Sequence, residues 1–132
     1  MKRALVVVDV QNSFVAKELP VPRAAEIIPL VNKLMAGFDL IVATQDWHPA
    51  DHLSFASQHP GKKPFDQGML RGKPHTLWPD HCVMGTWGAD FVEGLSRALL
   101  RRLSARVCIA KWIPIRGSWT TTDLITPAWR GF

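Results

Sequence analysis

Ala4-Leu-Val-Val-Val8 is an unbroken apolar run rich in valine, and it stops abruptly at Asp9. Such a run matches a strand buried on both faces, as strands are in parallel sheets. From Pro22 the period changes. Ala24, Ala25, Ile27, Ile28, Leu30, Val31, Leu34 and Met35 recur at helical intervals, so a helix is predicted up to Gly37, which is placed as a C-cap. Pro29 lies inside this run and is expected to kink it. Leu40 to Ala43 forms a second short apolar strand that runs into Thr44-Gln45-Asp46. Strand, helix and strand with short connections make a βαβ unit, which implies a right-handed crossover and a parallel sheet. A second helix is predicted over 89–103, with Phe91, Val92, Leu95, Ala98, Leu99 and Leu103 on its apolar face, and a third strand over 105–110. The fold class is therefore α/β.

A chain of 132 residues has room for one domain, and 47% apolar with 20% charged residues is a globular composition. No apolar run approaches the roughly 18 to 20 residues that span a bilayer. Met1-Lys2-Arg3 is charged, but the apolar stretch behind it ends too soon for a signal peptide, so the expected location is cytoplasmic with no membrane partner. Two cysteines, Cys82 and Cys108, form no disulfide framework, which fits a reducing compartment. The net charge is +5, with much of the excess in Arg97, Arg101, Arg102 and Arg106 near one helix end. No nucleic-acid-binding motif accompanies these residues, so they are read as a solvated helix face and no nucleic acid is expected as a partner.

Residues 46–88 differ in kind. They hold all five histidines, five prolines (Pro49, Pro60, Pro64, Pro74 and Pro79) and no convincing helical period. A long stretch without regular structure is either a linker or a functional loop. Its aromatics, Trp47, Phe55, Phe65, Trp78 and Trp87, argue against a disordered linker. Two carboxylates follow directly on strands, at the sheet edge where open α/β folds build their sites. Asp9 is one, to be read as a functional acid/base or as a structural cap. Asp46 is the other, and His48, two residues on, projects to the same side of an extended chain. One carboxylate oxygen and one imidazole begin a zinc, iron or manganese site, and His81 can supply a third ligand from across the loop. Fewer than four protein ligands leave positions for water or substrate, as in catalytic metal sites. Cys82 is a candidate fourth ligand or nucleophile but reads first as a small buried hydrophobe beside Val83, and His59 and His75 read as loop residues without a role.

Val6-Val-Val-Asp9-Val-Gln-Asn-Ser-Phe14 resembles the opening strand and loop of nicotinamidases. Ala43-Thr-Gln-Asp46-Trp-His48-Pro-Ala-Asp-His52-Leu-Ser-Phe55-Ala resembles their metal loop, and Leu77-Trp-Pro-Asp-His81-Cys-Val-Met-Gly-Thr86 resembles their third-ligand segment. His59-Pro-Gly-Lys-Lys-Pro-Phe65 is similar to bacterial members. The resemblance covers about residues 3–107. It implies the isochorismatase-like hydrolase fold, a three-layer α-β-α arrangement around a parallel sheet, here incomplete at the C-terminus. It also implies the hydrolysis of nicotinamide to nicotinate and ammonia in NAD salvage, with pyrazinamide as a related amide. Asp46, His48 and His81 would hold a divalent metal, Zn²⁺ first and Fe²⁺ or Mn²⁺ otherwise. His52 is a fourth ligand in some members and a near neighbour in others. Phe14 and Trp78 would sandwich the pyridine ring. Asp9 would act as general base and acid beside a lysine and a nucleophilic cysteine.

The chain departs from that pattern at its end. The nucleophile should lie on a glycine-containing turn beyond the lysine, and neither Cys82 nor Cys108 matches it. Residues 1–108 read as the nicotinamidase-like domain, with the metal loop over 44–88, and residues 109–132 as an atypical tail. That tail carries Trp112, Trp119 and Trp129 where the family has a Ser-rich loop. A frameshift just before residue 109 would account for it, with a genuine but divergent tail as the alternative, and Lys111 stands near the position of the family's lysine. Ser13 replaces an acidic residue, and Val15-Ala-Lys-Glu18 lacks the family's Pro-Gly-Gly turn. The expectation is an inactive amidase relative, with a non-catalytic metal- or nicotinamide-binding protein as the alternative. An open sheet edge would invite pairing between copies as a homo-oligomer or aggregate.

Overall fold

In the computed structural model, residues 2–100 are described. The expected third strand, Cys108, Lys111 and the tail lie outside them. Strand β1 (Ala4–Val8) pairs in parallel with β2 (Leu40–Thr44), in a register that sets Val8 opposite Thr44. Between them run a short helix α1 (Asn12–Val15), a 3₁₀ turn (Ala24–Glu26) and helix α2 (Ile27–Met35). This is the βαβ unit expected from the sequence.

Ile28, Val31 and Met35 lie on the inward face of α2 and pack over Leu5, Val7, Ile41 and Ala43 of the sheet, with Val92 and Leu95 completing the core. Helix α2 continues through Pro29. The proline occupies the third position of α2, in the first turn, where backbone N–H groups have no acceptor within the helix. Gly37 lies one residue beyond the C-cap Ala36 and donates its N–H to the Leu34 carbonyl, so the turn closes as anticipated.

Three expectations meet the structure differently. First, the described residues leave Val6 56% and Val8 61% exposed, and the expectation that β1 is covered on both faces extends beyond them. Helix α2 packs over the inward face of the two-stranded sheet. Second, the helix predicted from residue 89 begins only at Arg97, as α3 (Arg97–Leu100). Asp90 and Val92 are held extended beside the chain after β1, by Asn12 N–H to Asp90 O (2.9 Å) and Val92 N–H to Val10 O (3.2 Å). The apolar residues Val92 and Leu95 still reach the core, but from a non-helical segment, so their spacing imitated a helix.

Third, the 46–88 region holds regular structure. Strands β3 (Gln67–Leu70) and β4 (Lys73–Thr76) form an antiparallel hairpin, which places His75 on a strand and not in a loop. Arg71 and Gly72 both adopt positive φ, 52° and 73°, the conformation of a tight two-residue hairpin turn. Polar and small residues dominate the hairpin, so its strands carry no apolar alternation.

The uncovered valine face generates a prediction. Val6→Lys, on the exposed side of β1, should lower self-association without loss of helix or sheet signal, because a charge on an open sheet opposes pairing between chains. Sedimentation velocity of the two proteins over a range of concentrations measures it; a wild-type chain that is already monodisperse and melts cooperatively would contradict the idea.

Candidate metal centre

The parallel register delivers the carboxyl ends of β1 and β2 to one edge, and Asp9 and Asp46 follow on those ends. Asp9 turns the chain away from β1 with a φ of 51°, a conformation that aspartate tolerates better than most residues. Its Oδ1 accepts the Thr44 hydroxyl at 2.6 Å, and its own N–H donates to that hydroxyl at 3.2 Å, so the strand that precedes Asp46 also fixes Asp9.

Asp46, His48 and His81 come together, with one ligand atom from each lying within 4.8 Å of the others. The Nε2 atoms of His48 and His81 stand 2.9 and 3.4 Å from the same Asp46 Oδ2. Two loops meet here. His48 N–H donates to Cys82 O at 2.9 Å and Met84 N–H to His48 O at 2.8 Å, forming a short parallel bridge between the metal loop and the segment that carries His81.

Charge and burial act on this cluster in opposite directions. Burial opposes the ionised Asp46, but hydrogen bonds to His48 and His81 and their positive charge hold its pKa well below the usual carboxylate range. Burial likewise opposes protonation of His81, yet its bond to Asp46, the Pro79 carbonyl and the charges of Asp46 and Glu18 raise its pKa. The Nδ1 of His81 donates to Pro79 O at 2.7 Å, which leaves Nε2 directed at the carboxylate. With Nδ1 as the donor, a neutral His81 presents the lone pair of Nε2 to the cluster. A divalent cation among the three groups meets the same donor set with neutral imidazoles, so the residues fit a metal ion.

His52 stands beside the cluster and not in it. Its ring lies 4.3 Å from that of His48, but its Nδ1 pairs with Ser54 Oγ at 2.6 Å. Burial, and then the neighbouring His48 and His81, push its pKa down to about 4, so it is neutral at physiological pH. Phe55, completely buried, touches all three imidazoles edge-on, at 5.4 Å from His48 and 5.5 Å from both His52 and His81. Sequence reading assigned Phe55 no role, and an aromatic in a loop carries no signal that would have revealed one. Phe14 lies 5.7 Å from the His81 ring, while Trp78 pairs its backbone with that of Phe55 and meets Phe65 edge-on at 6.0 Å.

Cys82 is buried, and its thiol pKa is pushed up to about 12 by burial and by the negative charges of Asp46, Asp9 and Glu18. It is a neutral thiol beside an open cleft of about 290 Å³ whose lining includes Lys17, Glu18, Asp80 and Trp87. Lys111 and Cys108 lie outside the described residues. No helix among the described residues is long and apolar enough to cross a membrane.

No protein-family model matches the chain. A curated nicotinamidase of Acinetobacter baylyi is 56% identical over 93 residues, which is 70% of this chain and 44% of that protein. The structure of the yeast nicotinamidase superposes with a TM-score of 0.70 at 34% identity, covering 82% of this chain and 56% of the other. A pyrazinamidase of Pyrococcus horikoshii solved in complex with zinc superposes with a TM-score of 0.52 at 42% identity, covering 70% and 45% of the two chains. This chain thus spans less than half the length of the curated relative. Over the stretch that these comparisons cover, the chain is a homologue of the nicotinamidases and has their α/β fold.

Proposed function

We propose that this chain carries the metal-anchoring part of a nicotinamide-hydrolysing site, and that the 132-residue polypeptide by itself binds metal without turning over an amide. The observation that carries the reading is the convergence of Asp46, His48 and His81 on one point. That donor set, in a chain 42% identical to a pyrazinamidase solved with zinc, favours zinc, with iron and manganese as the other ions suited to mixed oxygen and nitrogen ligands. Fewer than four protein ligands leave room for a small molecule. A bound divalent cation would supply a Lewis-acid anchor for a pyridine nitrogen. His52, neutral and tied to Ser54, packs against His48 and holds that ring in place.

Phe14 and Trp78 are the residues assigned to the pyridine ring, and Phe14 already stands against the ring of His81. Asp9 is assigned to proton transfer. The Thr44 hydroxyl occupies its Oδ1 and orients the carboxylate, so Oδ2 is the atom suited to holding a proton in transit. Lys111 is assigned to support a thiolate by its charge. The substrate class is nicotinamide and related amides, the pathway NAD salvage in the cytoplasm, and the partner a small molecule. Copies of the chain are expected to associate through the open sheet. The domain division at residue 108 belongs to the same reading.

Cys82 favours the non-catalytic form of the proposal. A nucleophile needs thiolate at neutral pH, and burial denies it here. Zinc titration of the wild-type chain should give one site, and His81→Ala should abolish it while nicotinamide incubation releases no ammonia. A chain without zinc affinity would end the metal reading, and one that releases ammonia would end the claim of inactivity.

Native Cys82 should resist iodoacetamide at pH 8 and react on unfolding, which mass spectrometry of the labelled chain reads directly. Because its folded pKa is raised, the unfolded chain loses the thiol proton first. Stability contributed by Cys82 should therefore be intact below the ordinary thiol value of 9.0 and fall as pH rises from there toward 12. Rapid native labelling would contradict the burial argument.

A further inference from the structure

We infer that Gln11 and Ser13 are positioning residues for the metal centre, holding the backbone at Asp46 and at His81; the inference rests on the metal reading above. Gln11 is completely buried, and its side-chain amide grips Asp46 from both sides. Its Oε1 accepts Asp46 N–H at 2.7 Å, and its Nε2 donates to Asp46 O at 2.8 Å and to Ala89 O at 2.8 Å. Both amide protons are thereby used, and the peptide groups on either side of the Asp46 Cα are both held. Asp46 lies beyond the end of β2, so the sheet ladder does not hold it. Gln11 takes the place of a ladder partner.

Ser13 performs the matching task for the other loop. Its Oγ, also completely buried, accepts the N–H of Cys82 at 2.9 Å, which is the peptide directly after His81. Asn12, between them, donates Nδ2 to Trp87 O at 2.7 Å, and Gln45 adds a second donor to Ala89 O at 2.8 Å. Three consecutive side chains of the segment after β1 thus tie down the backbones of two loops that are far apart in sequence. The remaining ligand, His48, is held between these loops through its bonds to Cys82 O and Met84 N–H. A cation site needs its ligand atoms placed to within a few tenths of an ångström, and residues behind the ligands supply that order.

Zinc dissociation constants measured on the full chain, by competition with a chromophoric chelator, test the idea. Gln11→Met keeps the length and removes both kinds of hydrogen bond. Ser13→Ala removes one acceptor with little change of volume. Ile41→Val serves as a core control remote from the ligands. Each variant's fold is followed by circular dichroism. The expected result is a zinc Kd raised by about 10- to 100-fold in Gln11→Met and Ser13→Ala while both stay folded, with Ile41→Val unchanged. Folded variants with wild-type zinc affinity would overturn the inference. So would loss of zinc only together with loss of fold in both, since a purely structural role predicts that pattern. A wild-type chain that binds no zinc would instead overturn the metal reading itself.

Discussion

The in-register parallel pairing of β1 with β2 is the constraint on which the site depends. It brings two strand ends, 35 residues apart at Asp9 and Thr44, to a single edge and joins them through a hydroxyl–carboxylate bond of 2.6 Å. The pairing in turn depends on α2, whose Ile28, Val31 and Met35 cover the inward face of the sheet. Removal of apolar surface from water stabilises this arrangement, and the polar groups are then placed by the scaffold. Chemistry-bearing residues collect at the carboxyl edge because the crossover returns the chain in the same direction each time.

Beyond that edge, order comes from hydrogen bonds between side chains and backbone. The metal loop and the third-ligand segment have few ladder bonds of their own, and buried polar groups need partners. Gln11, Asn12 and Ser13 satisfy those groups at Asp46, Trp87, Ala89 and Cys82. Phe55 fills the space behind the imidazoles, so the ligands are oriented by packing on one side and by amide bonds on the other. Hydrogen bonds and charge within the cluster outweigh burial at Asp46 and His81, which move in opposite directions, while burial keeps Cys82 neutral.

Much of this was legible in the chain. The valine run ending at Asp9 and the helical period through Met35 were sufficient for the βαβ unit, because burial imposes those periods directly. The pairing of Asp46 with His48 was legible for the same reason, since neighbouring residues share a local geometry. Spacing alone left His81 one candidate across the loop and the resemblance of its segment to the nicotinamidases made it a ligand, while the tertiary structure set it 3.4 Å from Asp46. The segment around Val92 misled because an extended chain pinned to the residues after β1 can bury apolar side chains at spacings that resemble a helix. Phe55 and Gln11 left no trace, since their roles consist of contacts with residues far away in sequence.

The sequence by itself determined the class of fold, the two strand-terminal carboxylates and the types of ligand available, because periodicity and residue chemistry are local properties. Only the tertiary structure decided that His81 meets Asp46 and His48 and that His52 turns to Ser54 instead. Each of those outcomes depends on distances and burial set by segments remote from one another, and on which of several polar groups reaches a partner first. The two exposed valines of β1 make the same point from the other side: a run of apolar residues specifies a strand, but what covers it is decided by the rest of the fold.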